Sequence, residues 1–247
     1  MDRVTGGSRD HVGPAGRFMR EAGAELAQAV RSAAHVRQFG QGADLPAAGP
    51  FHPGGPIVVI RDGYAGIAAV AEDGRRTLLA IQGPGDLVGE QALFRGPGVK
   101  YGLSVRSLTD VSAWPVPQDQ FRRILERHPQ GWAVLAKVLQ DRLDAAEERI
   151  TLMASASASQ RLAVFILQLL SLRSPAGTRY SQATEVPLTQ AELGEWIGAS
   201  RGAVERVISR WVQRGAVHAR RRYLLILDIA YLERIAGVSR PALSRTA

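Results

Sequence analysis

The stretch LTQAELGEWIGASRGAVERVISRW, from Leu188 to Trp211, holds two helical patterns with almost nothing between them. Thr189 and Glu192 form the T-x-x-E pair that opens a helix by satisfying two orphan amides reciprocally. Leu193, Trp196 and Ile197 give that helix one apolar face, while Gly194 and Gly198 are small where a second helix must cross closely. Gly198 can also end the first helix, and Ser200 is a good N-cap for the second. In the second helix Val204, Val207, Ile208 and Trp211 recur at i, i+3, i+4 and i+7, which predicts their burial on one side. Gly202, Glu205, Arg206 and Ser209 are then left on the other side, with Arg201 on the flank near the helix start.

A helix presented this way can enter a DNA major groove with its N-terminal turns against base edges. Arginine suits that task because its planar fork bonds guanine O6 and N7 together. The competing reading is a solvated charged face on an ordinary helical hairpin. Against it stand both caps, the glycine positions, and the segment GAVHARRRYLLILD, which reads as a hairpin with Arg220, Arg221 and Arg222 at its tip. Charge placement agrees. From Gln160 onward thirteen arginines face six acids, nearly the whole of the chain's net +8. Lysine occurs only at Lys100 and Lys137, so a GC-rich coding sequence explains arginine over lysine, but not the clustering, which fits a polyanionic partner.

Upstream, the 247-residue chain is long enough for two modest domains, and 45% hydrophobic residues can supply their cores. After a Gly-rich start, RFMREAGAELAQAVRSAAHV reads as one helical lead-in. From Phe51 to Pro117 come short apolar runs punctuated by Gly and Pro, with EDGR at Glu72 to Arg75 placed as a tight hairpin, the pattern of a small antiparallel barrel or roll. QDQFRRILERHP is a short helix. A long one follows from Gln130 to about Met153, whose Trp132, Leu135, Leu139, Leu143, Ala146, Ile150 and Met153 form a coiled-coil-like seam. The seam packs either on a second copy, the favoured reading, or on the chain's own roll. MASASASQ, Met153 to Gln160, reads as a hinge into the last domain; RLAVFILQLLSL is a buried helix, SPAGTRYSQATEVP a loop and DIAYLERIAG a closing helix.

With these residues in place, the chain resembles the Crp/Fnr family of dimeric bacterial transcription regulators from about Ala24 to Asp228. The most specific parts are GDLVGEQALF, similar to the family's phosphate-cassette segment, and IGASRGAVERVISRW, similar to its recognition helix. The resemblance implies an α+β chain. A flexible tail would cover residues 1–16, a β-roll (jelly-roll, cyclic-nucleotide-binding-like) sensor 17–117, helices including a dimerisation helix 118–153, a winged helix-turn-helix domain 154–235 and a C-terminal tail 236–247. It further implies double-stranded DNA with a two-fold symmetric site as target, a homodimer, and RNA polymerase as a partner of activators. Thr189, Ser200, Arg201 and Arg206 match positions that contact phosphates or bases. Gly202 replaces a base-reading glutamate of the cyclic-AMP-responsive members and Glu205 replaces a glycine, so the half-site preference should differ. Glu205 either accepts from cytosine N4 or pairs with Arg201 one turn back.

The implied effector site is uneven. Gly89 and Glu90 keep the pair whose glutamate meets a ribose hydroxyl, or else Glu90 is a structural hydrogen-bonding residue of the roll. The Arg-Ser pair that grips a cyclic phosphate aligns with Tyr101-Gly102, with Lys100 beside it, and the Thr-Ser pair that meets adenine aligns with Ala146-Glu147. Without a bidentate arginine a buried phosphate loses its main charge-assisted bonds, so cyclic-AMP binding in the usual way is not expected, and a small-molecule effector is left unidentified. The absence of cysteine excludes thiolate zinc, cysteine-ligated clusters and disulfides. His11, His35, His52 and His128 are too scattered to indicate haem.

No nucleophile motif, metal-ligand spacing or P-loop argues for an enzyme, and GPGDLVGE does not open a helix as a dinucleotide fingerprint would. No segment reaches the ~20 apolar residues that span a bilayer, and no secretory leader is evident, so a cytoplasmic location is expected. The remaining alternative is a ligand-binding module whose basic helical domain docks on an acidic protein.

Overall fold

The computed structural model describes residues 17–47, 54–70, 76–94, 103–173, 184–186, 188–220 and 223–237. The N-terminal tail, the EDGR turn, Lys100, Tyr101, Arg221, Arg222 and the C-terminal tail beyond Gly237 lie outside the described residues, while Ala236, expected in that tail, ends a helix. The helical lead-in is two helices rather than one, α1 (Arg17–Glu21) and α2 (Gly23–Ser32), parted at Ala22.

Among the described residues seven strands build the roll: β1 (Arg37–Phe39), β2 (Ile57–Asp62), β3 (Ala65–Val70), β4 (Arg76–Gln82), β5 (Leu87–Val88), β6 (Leu103–Ser107) and β7 (Val111–Val116). They pair antiparallel in two sheets, ordered β1-β7-β2-β5 and β4-β3-β6. The β3–β4 register, Val70 opposite Arg76, is that of a hairpin. The run IVVI in β2 is apolar without alternation because both of its faces are covered. Val58 and Ile60 pack between the sheets with Leu45, Ala65, Val88 and Val111, whereas Ile57 and Val59 face a helical layer. That layer consists of α1, α2, α3 (Gln118–Arg127) and the start of α4 (Gln130–Ser155), which contribute Phe18, Leu26, Val30, Phe121, Leu125 and Leu135.

At 26 residues α4 is about 39 Å long. Its Leu135 and Val138 are buried, but farther along Leu143 is 53% and Ile150 69% exposed. The expected seam is therefore split. Leu135 turns inward to the chain's own roll, while Leu143, Ala146 and Ile150 are left open.

The predicted hinge at Met153 to Gln160 is much shorter than its run of small residues implied. Helix α4 continues through Ser155, and α5 (Ala158–Arg173) begins three residues later, leaving only Ala156 and Ser157 non-helical. The cause is a second capping box: Ser157 Oγ accepts from Gln160 N at 3.3 Å while Gln160 Oε1 accepts from Ser157 N at 3.0 Å.

The C-terminal unit contains α5, β8 (Thr184–Val186), α6 (Gln190–Ile197), α7 (Arg201–Gln213), β9 (Val217–Ala219), β10 (Leu224–Ile226) and α8 (Ile229–Ala236). The segment expected as a loop ends in β8, which joins β10 and β9 in a three-stranded sheet ordered β8-β10-β9. Leu162, Phe165 and Ile166 of α5 pack with Leu193, Ile197, Val204, Val207, Ile208 and Trp211, and buried Leu108 of the roll belongs to the same cluster. Truncating Phe121, fully buried between the roll and its helices, should cost about 3–5 kcal/mol. Chemical denaturation of Phe121→Ala, followed by helix signal, checks this.

Candidate nucleic-acid interface

The corner between α6 and α7 is built by local chemistry. Thr189 Oγ1 accepts from Glu192 N at 3.3 Å, and Glu192 Oε2 accepts from Thr189 N at 2.7 Å, so the capping box closes. The Thr189 hydroxyl also donates to Glu192 Oε2 at 2.8 Å, so a phosphate that takes this proton must displace the carboxylate. Gly198 ends α6 in the left-handed region at φ 61°, which β-carbon-bearing residues adopt at a cost. A Cβ on Gly194 would lie 2.8 Å from the Ala199 carbonyl oxygen, so the chain can fold back this tightly only over glycine. Ser200 Oγ accepts from Ala203 N at 3.3 Å and starts α7.

Val204, Val207, Ile208 and Trp211 are all buried, which fixes the rotation of α7 about its axis. Ser200, Arg201, Arg206 and Ser209 are exposed as a result. Arg201, with its side chain 75% exposed, donates from Nε to Glu205 Oε1 at 2.8 Å. Of the two roles open to Glu205, the pairing with Arg201 is the one present in the free chain. Arg206 folds back so that Nη1 lies 3.7 Å from where a Gly202 Cβ would be. The strands β9 and β10 form the expected hairpin, with Arg220 exposed and its N–H donating to the Tyr223 carbonyl at 3.0 Å.

The implied effector centre is held by a residue that sequence reasoning missed. Glu90, only 1% exposed, opens a 3-10 turn (Glu90–Leu93) after Gly89, whose φ is 89°. Arg142 of α4 reaches into the roll, and its Nη1 pairs with Glu90 Oε1. Its Nη2 donates to the Leu87 carbonyl at 2.6 Å and to Gln82 Oε1 at 3.2 Å. Glu90 Oε2 is buried without a hydrogen-bond partner among the described residues. The signal was available: Leu135, Val138, Arg142 and Arg149 follow one helical stripe, so arginines continue the face that the apolar residues bury. Gly89 and Glu90 are thus adjacent to a cation from α4, while Ala146 and Glu147 are exposed.

Burial also marks the base of α6. It raises the Glu195 pKa above the ordinary carboxylate value, opposed by the nearby Arg76 and Arg106 of the roll and reinforced by Glu192. His35 is exposed and His128 follows α3; His11 and His52 lie outside the described residues. Among the described residues no cluster of three metal-ligating side chains occurs, and no helix is long and apolar enough to cross a membrane.

Residues 37–128 match the cyclic nucleotide-binding domain family and residues 160–235 the Crp-like helix-turn-helix domain family. A CRP-like cAMP-activated global transcriptional regulator of Mycobacterium tuberculosis is 32% identical over 186 residues, 74% of this chain and 81% of that protein. The fumarate and nitrate reduction regulatory protein of Vibrio cholerae is 23% identical over 74% of this chain and 72% of its own length. Among solved structures, the c-di-GMP-responsive global regulator of Xanthomonas campestris has a TM-score of 0.67 at 22% identity, covering 82% of this chain and 98% of that one. A CRP/FNR-family regulator of Thermus thermophilus has a TM-score of 0.64 at 25% identity, covering 83% and 100% respectively. The family consists of transcription regulators, not enzymes. With both domain families matched in order, and the mycobacterial regulator this similar over most of its length, the chain belongs to the Crp/Fnr family.

Proposed function

We propose that the chain is a sequence-specific DNA-binding regulator that works as a homodimer, each α7 entering a major groove with half-sites about one helical turn, ~34 Å, apart. The observation that carries this reading is the split of α7. Its apolar face is wholly consumed by the core, while Ser200, Arg201 and Arg206 stay open to solvent. Arg201 and Arg206 supply base contacts, and Glu205 positions the Arg201 fork. Thr189 and Ser200 meet phosphates at two helix N-termini, where the unpaired amides and the helix dipole favour an anion. Arg220, with Arg221 and Arg222 beside it in sequence, adds sequence-independent attraction.

The open part of the α4 seam supports the dimer. Leu143 and Ile150 stand seven residues apart on the side of α4 turned away from the stripe that Arg142 and Arg149 hold to the roll, the spacing at which a second copy's helix buries them. At the effector centre, the charge of Arg142 is matched by Glu90, so the pair offers no net cation to a cyclic phosphate. The phosphate-gripping Arg-Ser pair is replaced by Tyr101-Gly102. Both points support a sensor that does not take cyclic AMP as the name of the mycobacterial relative describes for that protein. Gly89, Glu90, Lys100 and Tyr101 remain the residues proposed to border an effector. A DNA target puts the protein's work in the cytoplasm, and RNA polymerase is the partner it would meet as an activator.

Selection from a random duplex pool at physiological salt, with no effector, tests this directly. The expected result is a two-fold symmetric motif with one-turn spacing, and enrichment of nothing, with or without cyclic nucleotides, overturns it. Arg206→Ala should relax base preference by about 1–3 kcal/mol at its position, whereas Arg220→Ala should weaken matched and random duplexes alike and lower the salt slope by about 1. Equal losses on both duplexes for Arg206→Ala would remove the readout role. Leu143→Glu combined with Ile150→Glu should sediment as a monomer and lose the full site.

A further inference from the structure

Arg149 stands where three parts of the chain meet. Seven residues beyond Arg142 on the inward stripe of α4, it donates from Nη1 to the Leu79 carbonyl of β4 at 2.9 Å and from Nη2 to the Trp196 carbonyl of α6 at 2.7 Å. Its guanidinium carbon lies 4.3 Å from the centroid of the Trp196 ring, which stacks on Phe165 of α5 at 4.4 Å and 23°. Both neighbours are too close to the centroid to share one side of the ring, so the indole is held between a cation and a phenyl group.

Both carbonyls lie where their elements leave acceptors open. β4 is an edge strand of its sheet, and Trp196 lies in the last turn of α6, where carbonyls lack intrahelical partners and the helix dipole favours a cation. Around this point α6 lies against β4, and Tyr64, Ile81 and Leu108 of the roll join the core of the C-terminal domain. Arg142 holds Gln82 three residues farther along the same strand, so two guanidiniums from one helix face grip β4.

We propose that Arg149 is a positioning residue for DNA binding, a latch that fixes the helix-turn-helix domain against the sensor roll in the orientation that reads DNA. This rests on the DNA-binding reading above. Only Ala156 and Ser157 are non-helical between α4 and α5, and a link this short, capped within its own two helices, makes no bond to the roll among the described residues, so the placing of the domain against the sensor falls to contacts such as that of Arg149. The latch fixes that placing before DNA arrives, so the ordering cost is met on folding and not on binding. The contact leaves the reading face uncovered. Ser200, Arg201, Arg206 and Arg220 are all exposed while Arg149 is engaged.

The test uses the full chain carrying Arg149→Gln, with Arg149→Lys as a second variant that keeps the charge but not the fork. Hydrogen exchange is read at residues 76–82 and 190–197, and affinity is read on the selected duplex and on a random duplex of equal length. Exchange should rise together in β4 and α6 in both variants with helix content kept. Affinity should fall about tenfold on both duplexes, leaving their ratio unchanged. Unchanged affinity, tighter binding, or faster exchange in only one of the two segments overturns the proposal. If the parent chain selects no DNA, the DNA-binding reading fails and this proposal with it. Coupled exchange with normal DNA affinity defeats the latch alone.

Discussion

A single long helix cannot bury every side against one small roll, and the rest of the structure depends on how α4 divides its faces. The stripe through Leu135 and Val138 is consumed by the roll and its flanking helices, and it anchors the first half of the helix. Beyond Leu139 the inward stripe meets backbone carbonyls and a buried carboxylate of the roll, and it changes from leucine and valine to Arg142 and Arg149. A carboxylate as buried as Glu90 is costly without a partner, so Arg142 is a condition of that residue's presence as well as a tether of α4 to the sensor. The other stripe, through Leu143 and Ile150, finds no cover among the described residues of its own chain. One helix therefore carries the sensor's polar centre on one face and an unpartnered apolar seam on another, so that a shift of either is felt by both.

The helix-turn-helix corner was legible because its signals are local. A capping box spans four residues, a left-handed C-cap needs one glycine, and the α7 stripe repeats within three turns; each leaves a mark that neighbours in sequence suffice to read. The roll was legible as a class, from apolar runs of strand length broken by Gly and Pro, although IVVI did not show by itself which of its residues faced the helical layer. The short hinge was also written in the sequence, as the S-x-x-Q of Ser157 and Gln160, but the run of alanines and serines around it masked the signal. Strand β8 left almost none. Three residues are too few for a period of two to emerge, and Thr184 to Val186 are extended because β10 pairs with them.

What sequence reasoning missed at the effector centre and at the domain junction has one cause. Arg142 and Arg149 bond carbonyls of Leu87, Leu79 and Trp196, and a carbonyl carries no residue identity that a pattern could match. The helical stripe gives half of the answer, since it says that these arginines turn inward. Which groups they meet depends on how the roll and the C-terminal domain approach α4, and that is fixed by contacts tens of residues away in sequence.

The same two residues also qualify the compositional explanation of the arginines. Coding bias accounts for arginine at an exposed position such as Arg214, where any solvated cation would serve. It does not account for Arg142, whose two Nη groups divide between a carboxylate, an amide oxygen and a main-chain carbonyl, or for Arg149, which bonds two carbonyls in different domains while stacking on an indole. Lysine presents a compact ammonium that is strongly hydrated and has no planar surface to stack. It could reach one of these acceptors, but it could not span both domains from a single rotamer. At these positions the geometry requires a fork, and selection on structure and bias in coding point to the same residue for different reasons.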